Sequence, residues 1–181
     1  VRGLARALCL TAVAAAVATP AAARLPESAP ETEVRRFLQQ YEGSWSGKLV
    51  LRAAGGEKIR EVPAAAEYWW RGGELMALST FDLGTSLEVV RARTHFRNGL
   101  LFSEVEDSSD RTVFRGALEG DRLHWIPYDA VESTERRLRE RFEETDEGIP
   151  VLVIEGSEVV RDGTAKGRVF LEARLVKTGE R

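Results

Sequence analysis

Apolar and polar residues alternate along this chain with two different periods, and the change between them falls at Gly43-Ser44-Trp45. Before that point, Glu31 to Tyr41 places Val34, Phe37, Leu38 and Tyr41 at helical spacing, which predicts one short helix with a single apolar stripe. Thr32 is its expected cap and Gly43 its expected stop. From Trp45 the period is two: Trp45, Gly47, Leu49 and Leu51 alternate with Ser46, Lys48 and Arg52 until Gly55-Gly56 breaks the run. After a charged loop, Ala64 to Arg71 resumes the alternation, with Ala66, Tyr68 and Trp70 on one face.

Turn chemistry then fixes registers. Gly72-Gly73 is a two-residue hairpin turn that sets Arg71 opposite Glu74 and Trp70 opposite Leu75, so Ala77, Ser79 and Phe81 continue the inner face. Trp69, Met76 and Leu78 fall together on the outer face as an apolar patch. Asn98-Gly99 is the strongest short hairpin signal. Across it, between Leu87–Arg97 and Leu100–Glu106, Phe96 faces Leu101, Thr94 faces Ser103 and Ala92 faces Val105. The other face pairs His95 with Phe102, Arg93 with Glu104 and Arg91 with Glu106, two complementary charge pairs that place His95 outside.

A polar turn at Asp107 to Asp110 leads to Thr112–Leu118, and a Gly120-Asp121 turn leads on to Leu123–Tyr128. That turn pairs Glu119 with Arg122 outside and, inside, Leu118 with Leu123 and Gly116 with Trp125; His124 points outward. Thr134 to Thr145 fits either period at Leu138 and Phe142, and the hairpins on both sides favour a strand, with Arg136, Glu140 and Glu144 on the inner face. Ile149 to Arg161 is a long β-branched strand with an expected bulge at Gly156-Ser157. An Asp162-Gly163 turn then leads to Ala165–Val176, with Gly167, Val169, Leu171, Ala173 and Leu175 on one face.

About ten strands joined by short turns, with no helix between them, predict an all-β fold: an antiparallel up-and-down β-barrel with one short N-terminal helix closing an end. A barrel of that size is wider than the ~8-stranded size that side chains fill, so an interior cavity is expected. Tyr68, Trp70, Phe81 and Phe96 share the predicted inner face, as do Phe114, Trp125 and Phe142. Thr94 and Glu158, with Ser79 and Ser103, supply polar groups among these aromatic residues, the mixture a small-molecule pocket uses.

The first 23 residues stand apart from this pattern. Arg2 and Arg6 precede an apolar run from Ala7 to Ala18, and Thr19-Pro20 then leads into Ala21-Ala22-Ala23. This is the layout of a secretory signal with cleavage expected after Ala23, and the run is too short for a membrane helix. The expected organisation is therefore a signal over 1–23, a flexible linker over 24–32 and one barrel domain over 33–178, exported to a bacterial periplasm or beyond. Cys9, the sole cysteine, lies inside the signal and is not placed for lipid attachment, so no disulfide and no stable membrane anchor are expected. Loss of the two signal arginines takes the formal net charge from −3 to −5. That mildly acidic, interspersed charge excludes a nucleic-acid binder, which needs clustered Lys and Arg.

No catalytic motif is present. There is no Gly-x-Ser-x-Gly run, and the two histidines, His95 and His124, both point outward, so neither a triad nor a metal site is expected. Glu140 and Glu158, on the inner face, are the carboxylates that burial would perturb, with Arg136 as partner to either. Two readings follow. One is a binding module holding a small apolar or amphipathic molecule. The other is a structural or interaction protein with a filled barrel, acting through the Trp69, Met76 and Leu78 patch. The sequence leaves the oligomeric state open.

The run Tyr41-Glu42-Gly43-Ser44-Trp45-Ser46-Gly47 resembles the Gly-x-Trp motif that opens the barrel of calycins, the lipocalin-like group. There a short helix precedes the motif, the tryptophan closes one end, and a late basic residue packs on it. The resemblance implies structural closure by Gly43 and Trp45, with Arg174 or Arg168 as the basic partner. The Gly-rich hairpin Arg115 to Leu123 is similar to bacterial exported lipocalin-like domains of unknown function. Lipocalins proper have about eight strands and a large residue where this chain has Ser46. The nitrobindin branch shares the larger strand count and binds haem through a histidine near its C-terminus. This chain has no histidine after His124, so haem is not implied and no cofactor is expected.

Overall fold

A strand that alternates apolar and polar residues buries one face, and ten such strands in series remove their exposed edges by rolling into a single closed sheet. A computed structural model describes residues 25–108, 110–128, 136–162 and 165–180. The signal expected over 1–23 lies outside the described residues, as does part of the turn expected at Asp162-Gly163. A helix, α1 (Glu31–Gln39), precedes β1 (Gly43–Ala53), β2 (Lys58–Arg71), β3 (Glu74–Asp82), β4 (Leu87–Arg97) and β5 (Leu100–Glu106). Then come β6 (Arg111–Glu119), β7 (Arg122–Pro127), β8 (Arg136–Glu144), β9 (Pro150–Asp162) and β10 (Ala165–Gly179). Each strand pairs antiparallel with its chain neighbours, and β1 pairs with β10 to close a ten-stranded up-and-down barrel.

The hairpin registers follow from the turns. Asn98 and Gly99 have φ of 53° and 73°, the left-handed conformation that a two-residue turn requires at both positions. Phe96–Leu101, Thr94–Ser103 and Arg93–Glu104 sit opposite one another as the sequence predicts, and so do Trp70–Leu75, Gly116–Trp125 and Leu118–Leu123. The segment that fits either period is a strand, β8, with Leu138 opposite Trp125 and Gly156, and Phe142 opposite Leu152.

Several expectations are corrected. Thr32 does not cap α1; the carbonyl of Pro30 accepts from the Glu33 and Val34 amides instead. The stretch expected as a flexible linker is tied down near its end: the Ala29 amide donates to the Leu118 carbonyl at 2.9 Å, the Leu118 amide to Ser28 Oγ at 3.3 Å, and the helix has begun by Glu31. Gly43 does not stop the helix, which ends at Gln39, but opens β1 with φ 121°. A Cβ there would lie 2.5 Å from the Gly179 carbonyl oxygen, so only glycine fits where the two ends of the sheet meet. No bulge occurs at Gly156-Ser157, where the ladders to β8 and β10 run without a shift. Gly156 is instead a space-making residue, because a Cβ would press on Leu138 Cδ2 at 2.6 Å. The register shifts fall in β1, at Ser44/Trp45 and Leu51/Arg52. β2 also begins earlier than the alternation suggested and runs through Pro63, which lies just before the first residue paired with β3, Ala64.

The core sits at the helix end. Val34, Phe37 and Leu38 of α1 and the following Tyr41 are buried against Trp45, Leu118, Leu123 and Leu152, the last four no more than 1% exposed. Each such side chain contributes roughly 1.5–3 kcal/mol of burial free energy. Phe142 is the centre of an aromatic cluster there, its ring 5.3 Å from Phe37, 4.8 Å from Tyr41 and 5.8 Å from Trp45. Helix and barrel are thus one cooperative unit. In the closing seam, Gly47 is so near β10 that a Cβ would lie 1.9 Å from the Arg174 carbonyl oxygen. Gly47→Ala is expected to cost at least ~1–3 kcal/mol in chemical denaturation, the range for forced overpacking. Ala65→Gly, at an exposed β2 position, serves as the control; an equal loss in the two variants would contradict a special role for the seam.

Candidate functional site

Unequal inward side chains leave a space inside the barrel. On β3, β4 and β5 the inner face carries Ala77, Ser79, Ala92, Thr94 and Ser103. Larger residues face them from β6, β7 and β8: Phe114, Trp125 and Leu138. The result is a cavity of about 220 Å³ running from Leu38 and Tyr41 beneath the helix to Phe81, Val90 and Val105 farther along. It is several times the ~30 Å³ share of one water and larger than the ~150 Å³ apolar cavity that admits benzene. It is smaller than the ~300–1,000 Å³ of drug-sized sites.

The walls are mostly apolar, and the polar groups on them are few. Thr94 Oγ1 donates to Ser103 Oγ at 3.0 Å on the β4–β5 wall. The main polar feature is Glu140 on β8. The Tyr41 hydroxyl donates to Glu140 Oε2 at 2.5 Å, and the Trp125 indole makes a second hydrogen bond to the carboxyl. Tyr68 lines the same wall, its ring 5.1 Å from that of Tyr41. The accessible surface that Glu140 keeps faces the cavity.

Burial pushes the Glu140 carboxyl above the usual carboxylate range, and the hydrogen bonds from Tyr41 and Trp125 oppose that shift. Burial first, and the Glu140 charge second, raise the hydroxyls of Tyr41 and Tyr68 far above the ordinary tyrosine value, so both remain protonated donors. No Lys, Arg or His lines the cavity among the described residues.

Five of the nine residues expected to line a pocket do so: Tyr68, Phe81, Thr94, Phe114 and Trp125. The other four face inward but lie elsewhere. Trp70 borders a shallow cleft beside the helix with Arg35 and Gln39, and Phe96 is covered by the Arg35 guanidinium, 4.6 Å from its ring centroid. Phe142 is consumed by the aromatic plug. Glu158 forms a half-buried ion pair with Arg136 at 2.6 Å, near the end of the barrel away from the helix. Arg136 therefore partners Glu158 alone, and Glu140 keeps only its neutral donors.

At the closed end, Trp45 is buried and its Nε1 donates to the Tyr41 carbonyl at 2.7 Å. Arg174 does not pack on it. It points outward opposite Lys48 and binds Glu143 at 2.8 Å, in a network with Arg141 and Glu155 on the outer wall. Arg168 is not the partner either; it donates to Ser157 Oγ at 3.2 Å. The cation over Trp45 is Lys177, 5.8 Å from the ring, which the β1–β10 ladder, unbroken from Ala53 to Trp45, sets opposite it on the same face as Leu175 and Ala173.

His95 and His124 lie on the outer wall, His95 stacked on Phe102 at 6.2 Å and His124 opposite Ala117 and Arg139. Burial, with Arg139 nearby, lowers the His124 value. No group of three His, Cys, Asp or Glu side chains able to hold a metal occurs among the described residues. No described helix is long and apolar enough to cross a membrane. No known protein-family model matches the chain, and no curated protein is significantly similar to it in sequence.

Because the folded midpoint of Glu140 lies above the unfolded one, folding takes up a proton between the two values. The Glu140 contribution is thus retained below the usual carboxylate midpoint and is lost as pH rises through the raised one. Each pH unit between the two midpoints is worth ~1.4 kcal/mol. Glu140→Gln keeps an acceptor for Tyr41 and Trp125 but cannot ionise, so its stability relative to the native protein should improve from pH 4.5 to pH 8 in urea denaturation. A difference that does not change, or changes in the opposite direction, would show that Glu140 is comfortably ionised when folded.

Proposed function

We propose that this chain is an exported lipocalin-like barrel, of the calycin kind, that holds a small hydrophobic or amphipathic molecule in its interior. The observation that carries the reading is the cavity itself: mostly apolar, built from small residues on β3–β5, with Glu140 and Tyr68 as its converging polar groups. Such a mixture of an apolar wall and a few fixed polar atoms suits a small-molecule site. The short helix before Gly43-Ser44-Trp45, the buried Trp45 and the ten-stranded closure support the calycin likeness. The Arg2–Ala23 signal pattern supports export. At ~220 Å³ the cavity suits a single ring or a short chain rather than a lipid or a porphyrin.

Native mass spectrometry of protein purified from its own export compartment tests this reading. A small adduct that is lost on denaturation is expected. Ala92→Phe, which fills the cavity from β4, should abolish the adduct and leave the melting temperature within a few degrees of the native value, because the new ring occupies empty space. Protein that carries no adduct and shows no shifts on NMR titration with small hydrophobic probes would contradict a binding function.

A further inference from the structure

Glu140 is a carboxyl group set in an apolar chamber with two donors and no cation. The groups that face it are known element by element. The segment after α1 supplies the Tyr41 hydroxyl, β2 supplies Tyr68, β7 supplies Leu123 and Trp125, and β9 supplies Leu152 and Ile154. On β8 itself the nearest inward-side charges are Arg136, committed to Glu158 at 2.6 Å, and Glu144, exposed at the strand's other end beyond Phe142. Of the groups lining the chamber around Glu140 only the two tyrosines titrate, and both remain neutral hydroxyls.

This arrangement has a direction. Tyr41 O–H and Trp125 N–H both donate, and donors favour the ionised form of a carboxyl group, which only accepts. A neutral acid would instead need an acceptor for its own proton; the Tyr41 hydroxyl oxygen can serve as one, but the Trp125 N–H can only donate and so favours the carboxylate. The carboxylate is therefore partly prepared, while its burial without a counter-charge remains costly. Beside it stand the rings of Tyr41, Tyr68 and Trp125, residue types whose π faces attract organic cations. What the chamber lacks is a positive charge small enough to enter with its carbon skeleton.

Resting on the reading that the cavity binds a small molecule, we propose that its ligand class is a small organic ammonium: a primary amine of about the size of benzylamine. The ammonium meets Glu140, and the hydrocarbon part fills the space toward Ala77, Ala92 and Val105. Where Glu140 is protonated in the empty barrel, the incoming R–NH₃⁺ displaces that proton to solvent, and no other group changes its protonation. Affinity thus rises with pH through the Glu140 midpoint and falls again as the amine itself deprotonates near pH ~10.

Isothermal titration of the full folded chain with benzylamine, benzyl alcohol and toluene tests this. At pH 7.5 benzylamine should bind at least ~10-fold tighter than benzyl alcohol, the least that a charge-assisted contact adds. Its advantage should shrink at pH 5. Buffers of different ionisation enthalpy should reveal proton release on amine binding below the Glu140 midpoint and none with the alcohol. Glu140→Gln should lose the preference for benzylamine over benzyl alcohol, whereas the native-chain pH series stands without any variant. Alcohol or toluene binding as tightly as the amine would overturn the ammonium assignment while leaving a binding cavity in place. Failure of all three to bind would overturn the binding reading as well.

Discussion

Closure of β1 on β10 is the constraint on which the rest depends. Ten strands offer two edges, and only their pairing turns ten half-buried faces into one interior. The pairing is close because Gly43 and Gly47 carry no side chain where the β10 carbonyls of Gly179 and Arg174 approach. It also positions the closed end. The unbroken ladder from Ala53 to Trp45 sets Lys177 across Trp45, and Trp45 in turn holds the Tyr41 carbonyl. Tyr41 then carries the effect inward, since its hydroxyl is the donor to Glu140. One chain of contacts runs from the seam, through the plug, to the polar group of the cavity.

The cavity is a consequence of size mismatch rather than of a missing element. The plug fills the helix end with Phe37, Tyr41, Trp45 and Phe142. Beyond it, Ala77, Ala92 and Ser79 are too small to meet Phe114 and Leu138 across a ten-stranded circumference. The same apolar walls make Glu140 expensive to ionise, so shape and electrostatics at the site have one cause.

Much of this was legible in the sequence, because the information was local. Asn98-Gly99, Gly72-Gly73 and Gly120-Asp121 each fix a two-residue turn, and period-two alternation then assigns both faces of both strands without error accumulating. The inward placement of Glu140 followed from Leu138 and Phe142 on either side of it. What was not legible depended on depth along the barrel and on contacts between distant residues. Trp70, Phe96, Phe142 and Glu158 face inward as expected, yet each lies above or below the open space, and alternation carries no coordinate along the barrel axis. Arg174 was misplaced because the motif likeness overrode the alternation, which puts Arg174 on the face opposite Ala173 and Leu175 and leaves the inward position across Trp45 to Lys177. The Tyr41–Glu140 bond joins residues 99 apart and leaves no local trace.

The claim that an ionisable group is held in an apolar chamber, short of a charge partner, is tested most directly by ¹³C NMR titration of the glutamate side-chain carboxyl resonances in the native chain. One resonance, absent from Glu140→Gln, should titrate clearly above the ordinary glutamate midpoint of about 4.3 and should move back toward it when benzylamine is present. A Glu140 resonance that titrates with the exposed glutamates and ignores the amine would contradict the claim.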